Sequence, residues 1–214
     1  MNAYYPLALQ IRGKRCLVVG GGRVAYRKTV NLLQSGAVVK VVAPAVIRPL
    51  VILGDRKKIR IAKRPFKPAD LRGVYLVFAA TDDSSLNRMI YRETRSNQIL
   101  VNVVDDPEYC DFIMPAVLKK GKVTITVSTD GCAPYAAVHI KKRIDKLLNP
   151  EYMQYIQTII RVRSRLIKMK KSGTDINIEH VLDKLSAKRL LHYIKEKDPD
   201  SLRRYIDYVV SSDV

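Results

Sequence analysis

Cysteine is scarce in this 214-residue sequence, and the few that occur are scattered. Cys16, Cys110 and Cys132 form no CxxC pair, which argues against both a disulfide framework and a zinc site. A protein with this cysteine usage is expected in a reducing compartment, the cytoplasm.

Histidine is also scarce, and long apolar runs are lacking. The three histidines, at positions 139, 180 and 192, show no metal-ligand spacing. Residues 1–14 contain no apolar signal core, and runs such as 17–22 are too short to span a membrane. We therefore expect a soluble cytoplasmic protein without a membrane anchor, and the spacing of its histidines assigns no metal site.

Acidic residues are few, with 20 Asp and Glu against 39 Lys and Arg, which gives a formal charge of +19. Such a charge concentrates polyanions, either nucleic acid or an acidic small molecule. The excess is spread along the chain, so it does not decide between these partners. The stretches 56–67 and 161–171 contain no acid, and each is equally well explained as a solvated basic face.

The first part of the chain has the pattern of a βαβ unit. Apolar runs at 15–19 and 38–42 read as strands, and residues 24–34 carry apolar residues at helical spacing. Gly36 lies where a glycine commonly ends a helix. Two parallel strands joined through a helix predict a right-handed crossover.

The alternation continues and then changes. Further apolar runs predict three more strands, at 59–62, 74–80 and 99–104, with a helix over 85–95. After Pro115 a hairpin is predicted, followed by helices over 134–148 and 150–171 and by shorter helical pieces. The predicted fold is α/β: a Rossmann-type doubly wound parallel sheet, then a β-hairpin and helix region, then a C-terminal helical domain.

The segment Gly20-Gly21-Gly22-Arg23-Val24-Ala25 joins the first strand to the first helix. In a phosphate-binding turn, the first glycine permits the tight turn and the second lets the backbone approach a pyrophosphate, while Ala25 permits close packing. The anion then lies on the helix N-terminus. The segment predicts a nicotinamide dinucleotide site.

An acid that would bind the ribose 2′-hydroxyl is missing after the second strand, which ends at Ala43 and Pro44. The residues alone therefore leave the choice between NAD and NADP open. Lys40, Arg23 and Arg48 are candidates to meet a 2′-phosphate, with plain surface charge as the alternative.

Six segments, in order and spacing over residues 4–150, resemble the precorrin-2 dehydrogenases of siroheme synthesis. They are 20–28 (GGGRVAYRK), 41–44 (VVAP), 79–83 (AATDD), 102–105 (NVVD), 112–116 (FIMPA) and 128–134 (STDGCAP). The resemblance implies oxidation of precorrin-2, an acidic tetrapyrrole, to sirohydrochlorin with NAD, and in some members insertion of Fe(II). It also implies a homodimer, and a form without the methyltransferase domain that fused members carry.

The resemblance implies a division into three parts and a set of site residues. The parts are an NAD-binding domain (1–112), a dimerisation region (113–149) and a helical domain (150–214). The implied cofactor-binding residues are Gly20, Gly21, Gly22, Arg23, Val24, Ala43, Pro44, Thr81, Asp82, Asn102 and Val103. Ser128 and Thr129 are candidates for substrate contact, and Asp105 and His139 are weak candidates for meeting a metal.

Asp105 is predicted to be the catalytic base. Hydride transfer to a nicotinamide requires removal of a proton from the substrate, for which a carboxylate at the end of a strand is suitable. The alternative is a turn or helix-capping aspartate, which the sequence Asp105-Asp106-Pro107 also suits. Thr81 and Asp82 have a similar alternative, because Asp82 or Asp83 can cap the following helix.

The sequence departs from the pattern of the precorrin-2 dehydrogenases in two places. Asp130 stands where the family commonly shows a second glycine, and the residues after about 170 resemble nothing that assigns them a role.

Two other functions are compatible with the glycine turn alone. One is a dinucleotide-sensing regulator with a basic helical tail that binds nucleic acid, and the other is a dehydrogenase of an unrelated small substrate. No recognition helix, zinc finger or aromatic RNA-binding signature is present, so no specific nucleic-acid partner is expected.

Overall fold

The computed structural model describes residues 4–212, and the predicted domain limits at residues 1 and 214 lie outside them. The chain forms two compact units. The first contains the chain up to Met114 together with Asp130–Cys132, and the second contains Pro115–Thr129 and the chain from Ala133 onward.

The first unit is built on a five-stranded parallel sheet. Its strands are β1 (Arg15–Val19), β2 (Val38–Val42), β3 (Arg60–Ala62), β4 (Leu76–Ala79) and β5 (Leu100–Val103), in the order β3-β2-β1-β4-β5. Its helices are α1 (Arg23–Gln34), α2 (Arg48–Asp55) and α3 (Ser84–Ser96). The order reverses between β1 and β4, which is where such sheets bind ligands. The predicted Rossmann-type fold is confirmed.

Both faces of this sheet are covered, which explains why its strands read as continuous apolar runs. One core packs α1 and α2 onto the sheet, with Ala25, Leu50 and Phe78 buried. The opposite core includes Ile90 of α3 and Val77 of β4. Gly36 follows α1 with φ +78, as its place in the sequence predicted.

Helix α2 is absent from the sequence-based prediction. It has only eight residues, and the run Val51-Ile52-Leu53 carries no clear helical period. Pro49 in its first turn is the local signal that was available, and the complete burial of Leu50 against the sheet stabilises the helix.

A buried carboxylate ties the β3 side of the sheet together. Asp70 receives two hydrogen bonds from the Arg64 guanidinium, at 2.8 and 2.7 Å, and one from Lys40 Nζ at 2.7 Å. The Lys67 N–H donates a fourth at 3.0 Å. The Arg64 guanidinium is the main reason why the pKa of Asp70 is well below its usual range, with Lys40 and the Lys67 N–H acting in the same direction.

We expect Asp70→Asn to lower the free energy of unfolding by about 2 kcal/mol at neutral pH, since two cations lose their shared carboxylate. Because the pKa of Asp70 is lowered in the folded state, its contribution is complete above the unfolded value of about 4 and is lost as the pH falls below it. Urea unfolding between pH 7 and pH 3 measures both effects. Asp55→Asn, at an exposed position, is the control; equal unfolding midpoints for the two variants at pH 7 would contradict the assignment.

The second unit begins with the predicted hairpin, formed by β6 (Ala116–Lys120) and β7 (Val123–Val127). Its helices are α4 (Pro134–Leu147), α5 (Pro150–Lys171), α6 (Ile178–Lys184), α7 (Ala187–Lys195) and α8 (Pro199–Ser211). Asn149 caps α5 by accepting a hydrogen bond from the Tyr152 N–H at 2.8 Å. Residues of α5, α6, α7 and α8 share one apolar core. The separation into a dimerisation region and a helical domain stays a prediction.

None of the helices within residues 4–212 combines the length and the apolar character needed to cross a membrane.

Candidate functional site

The glycine turn follows β1, and two of its glycines are required by neighbouring backbone. Gly20 has φ +128, and a Cβ there would lie 2.1 Å from the Ala80 carbonyl oxygen. A Cβ on Gly21 would lie 1.9 Å from the carbonyl oxygen of Ala45. The Ile47 N–H also donates to the Gly21 carbonyl at 2.9 Å. The turn is therefore held between the segments that follow β4 and β2.

Gly22 differs from its two neighbours because nothing lies within 4 Å of the position that its Cβ would occupy. It is the N-cap of α1, no side chain caps this helix end, and the first turn carries no acid. The N–H groups of the first turn and the helix dipole are thus available to an anion that enters the open space. This arrangement fits the pyrophosphate of a nicotinamide dinucleotide.

The end of β2 carries no acid, as the sequence indicated. Ala43 is buried and Pro44 is exposed. Lys40 donates a hydrogen bond to Asp70, so it is no longer a good candidate to bind a 2′-phosphate. Arg23 and Arg48, in contrast, are exposed in the first turns of α1 and α2. The choice between NAD and NADP is left open by these residues.

Thr81 follows β4 and is fixed by Asn87, a residue that the sequence reasoning missed. The Thr81 hydroxyl donates to Asn87 Oδ1 at 2.8 Å, and Asn87 Nδ2 donates back to the Thr81 carbonyl at 2.9 Å. Asn87 is buried in α3. A polar residue on the apolar face of a predicted helix is the sequence signal by which it could have been found.

Asp83, rather than Asp82, caps α3. Its carboxylate accepts from the Ser85 and Leu86 N–H groups at 2.9 and 3.1 Å. The Ser85 hydroxyl is the main cause that lowers the pKa of Asp83. Asp82 therefore does not cap α3, and its side chain is exposed to solvent beyond the end of β4.

Asn102 in β5 has its side chain engaged within the protein. Its Nδ2 donates to the Phe112 carbonyl at 2.9 Å and lies 3.4 Å from Cys110 Sγ. Cys110 Sγ donates to the Val103 carbonyl at 3.1 Å, and burial raises the pKa of this thiol. Asn102 thus holds the returning segment 110–112 against β5, and its contact with a cofactor stays a prediction, as does that of the buried Val103.

Asp105 lies two residues beyond β5, at the carboxyl edge of the sheet. It is exposed and has φ +62, a left-handed conformation that aspartate tolerates better than most residues. Gly20, Ala43, Thr81 and Asp105 follow β1, β2, β4 and β5, respectively. The parallel sheet therefore brings the predicted cofactor turn and the predicted base to one edge, as the strand pattern indicated.

Comparison with known proteins supports an NAD(P) site in the first unit of the chain. A family model described as "Putative NAD(P)-binding" matches residues 7–116, more than half of the chain. This chain belongs to that NAD(P)-binding family.

Two relatives of this NAD(P)-binding protein are siroheme synthases. That of Nitrosococcus oceani is 42% identical over 170 residues, which are 79% of this chain and 36% of the relative. That of Methylococcus capsulatus is 38% identical over 163 residues, 76% of this chain and 34% of the relative. The chain thus spans about a third of the length of these relatives, and the predicted resemblance to proteins of siroheme synthesis is confirmed.

A solved structure titled "SirC, precorrin-2 dehydrogenase" shares the fold. It superimposes with a TM-score of 0.77 at 24% identity, over 97% of this chain and 100% of that one. The likeness extends the fold assignment beyond the NAD(P)-binding segment to the hairpin and the C-terminal helices.

The remaining predicted residues of the NAD(P)-binding protein belong to the segment that follows β7. Thr129 Oγ1 accepts from the Ala133 N–H at 3.1 Å, one residue before α4. Asp130 has φ +48, a left-handed conformation that aspartate tolerates better than most residues, and Gly131 follows at φ +84. Substrate contact by Ser128 and Thr129 stays a prediction.

The two weak candidates for meeting a metal are Asp105 and His139. His139 is exposed on α4, and no group of three His, Cys, Asp or Glu side chains within residues 4–212 is arranged to hold a metal ion. Contact of Asp105 or His139 with a metal stays a prediction.

The acid-free stretch 161–171 lies on α5. Several of its side chains line an open cleft of about 640 Å³ together with Lys122; these are Arg161, Ser164, Arg165, Lys168 and Met169. Arg165 is paired with Asp207 of α8 at 2.6 Å. The stretch is thus a partly neutralised helix face rather than a separate tail.

Proposed function

We propose that this chain oxidises precorrin-2 to sirohydrochlorin with NAD as the hydride acceptor. The observation that carries the proposal is the shared sheet edge, where the open turn at Gly22 follows β1 and Asp105 follows β5, the two strands that flank β4 in one parallel sheet. The names of the relatives supply the substrate class. The cofactor, when bound, supplies a nicotinamide C4 that takes the hydride.

The residues of the chain perform the binding and proton steps. Gly22 and the first-turn N–H groups of α1 hold the pyrophosphate, and the pair Thr81 and Asn87 supports the backbone after β4. Asp105 accepts the proton that the macrocycle loses when its hydride leaves. Each oxidation therefore yields one reduced cofactor and one proton.

The net charge of +19 suits a substrate that carries eight carboxylates. Lysine and arginine side chains raise the local concentration of such a molecule and bind its carboxylates. Neither rival function accounts for the later motifs together with the glycine turn. Specific nucleic-acid binding, the first rival, would require a reading element that the sequence does not show.

Anaerobic incubation of purified protein with precorrin-2 and NAD tests the proposal, with NADP in a parallel reaction. We expect a rise in NADH absorbance together with the spectrum of sirohydrochlorin. The ratio of the kcat/KM values for NAD and NADP gives the cofactor preference, which the residues at the end of β2 do not determine. Oxidation that does not depend on either cofactor would overturn the proposal.

Insertion of Fe(II) into sirohydrochlorin and assembly into a homodimer rest on the resemblance alone. Metal uptake by sirohydrochlorin with and without protein tests the first, and no acceleration would reject it. Light scattering of the purified chain tests the second, and a mass close to the 24.3 kDa of one chain would reject it.

A further inference from the structure

An arginine of α3 contacts a tyrosine of the segment that follows β5. The guanidinium carbon of Arg88 lies 5.7 Å from the centre of the Tyr109 ring, within the range of a cation–π contact. Arg88 is exposed in the second turn of α3. Tyr109 is half-buried, and its ring meets that of Tyr91 edge to face with centroids 5.0 Å apart. A fixed ring therefore supports the Arg88 guanidinium.

Tyr109 belongs to the same turn as Asp105, the predicted base. The Tyr109 N–H donates to the Asp106 carbonyl at 3.2 Å, and Cys110 Sγ donates to the same carbonyl at 3.3 Å. These two bonds close the chain directly after Asp105. The Arg88 guanidinium thus lies on the turn that carries the predicted base.

This turn, residues 105–111, is rich in acidic side chains. It contains four of them, and they are Asp105, Asp106, Glu108 and Asp111. Like charges that are brought together without a partner are unfavourable, so a polycarboxylate that approaches the turn requires a cation beside it.

Arg88 and Arg95, two arginines of α3, lie on tyrosine rings but differ in their ion pairs. The guanidinium carbon of Arg95 is 4.8 Å from the centre of the Tyr91 ring, and Arg95 forms an ion pair with Asp111. Among the ion pairs of the described residues, none includes Arg88. A guanidinium without an ion pair can form a bidentate contact with a carboxylate of a ligand.

We propose that Arg88 binds a carboxylate of the acidic substrate beside the turn that carries Asp105. The inference rests on the proposed function, which supplies a macrocycle with eight carboxylates around its rim. A macrocycle that reacts at Asp105 brings some of these groups to the acidic turn. Arg88 then makes a bidentate contact with one of them and offsets the repulsion by the neighbouring acids.

The test compares Arg88→Gln with Arg92→Gln, which removes the same charge one turn further along α3 at an exposed position. We expect Arg88→Gln to raise KM for precorrin-2 about tenfold, with kcat and KM for NAD within about twofold. Arg88→Lys should recover only part of the loss, because an ammonium lacks the bidentate fork. Arg92→Gln should keep KM for precorrin-2 within about twofold, which separates a local contact from the general attraction of a basic protein.

The Tyr109 ring gives a second comparison. Tyr109→Phe retains the ring face, whereas Tyr109→Leu removes it and keeps an apolar side chain. We expect Tyr109→Phe to retain KM for precorrin-2 and Tyr109→Leu to raise it about threefold, since the guanidinium loses its support. Equal KM values for these two variants would contradict the placement of Arg88 by the ring.

Binding of sirohydrochlorin, the product, measures the same contact without turnover, because oxidation leaves the eight carboxylates in place. Its dissociation constant, from an absorbance titration, should rise about tenfold in Arg88→Gln and stay within about twofold of wild type in Arg92→Gln. Equal dissociation constants and equal KM values for these two variants, with an active wild type, would overturn the inference alone. A wild type that lacks cofactor-dependent oxidation would instead overturn the proposed function.

Discussion

Asp105→Asn should lower kcat of cofactor-dependent oxidation by roughly 10²–10⁴-fold, the range that a general base typically contributes. The substitution removes the charge and the proton-accepting oxygen and leaves the volume almost unchanged. Asparagine also tolerates φ +62, so the turn after β5 should be retained, whereas alanine would strain it. Stopped-flow measurement of NADH formation at saturating NAD and precorrin-2 gives the change.

Two measurements separate loss of the base from loss of the site. The dissociation constant of NAD for Asp105→Asn, followed by calorimetry, should stay within about twofold of wild type, because the proposed pyrophosphate site is the N-terminus of α1. Asp106→Asn, at the adjacent position, should retain kcat. Full turnover by Asp105→Asn would remove the base assignment.

Gly22→Asp should raise the dissociation constant of NAD by at least about 100-fold without unfolding the protein, since a like charge facing the pyrophosphate costs several kcal/mol. The space around the Cβ position is open, so the added Cβ meets no neighbouring segment of the protein. Aspartate is also a favoured N-cap, and α1 lacks a side-chain cap. The melting temperature should therefore be retained or raised.

The other glycines of the turn provide the contrast. Gly21→Ala should lower the free energy of unfolding by about 1–3 kcal/mol, because its Cβ would lie 1.9 Å from the Ala45 carbonyl oxygen. Gly22→Ala should fold normally and bind NAD more tightly than Gly22→Asp. If Gly22→Asp binds NAD as wild type does, the cofactor does not lie on this turn.

The sheet and the glycine turn were predictable because their signals are local. Continuous apolar strands, Gly36 at the end of α1 and the spacing of Gly20 and Gly22 each reflect a rule that acts within a few residues. Parallel pairing then determines which residues share an edge. The placement of Asp105 at the same edge as Gly22 followed from that rule alone.

The supporting contacts were not predictable because they join distant parts of the chain. Asn87 contacts Thr81 only once α3 has packed against the sheet. The hydrogen bond from the Asn102 amide to the Phe112 carbonyl likewise joins residues ten positions apart, and the predicted cofactor contact of Asn102 did not foresee it. Lys28 meets Phe78 only after α1 has packed on the sheet. Tertiary packing determined these partners, as it did the existence of α2.

The most direct test of the dehydrogenase assignment is the stoichiometry of a single anaerobic turnover, with excess purified protein, limiting precorrin-2 and saturating NAD. We predict one NADH for each sirohydrochlorin formed, and neither product above the protein-free rate with Gly22→Asp at an NAD concentration that saturates only the wild type. Sirohydrochlorin formed without NADH would contradict the proposed function, whereas NADH formed equally by wild type and Gly22→Asp would contradict the cofactor site at the glycine turn.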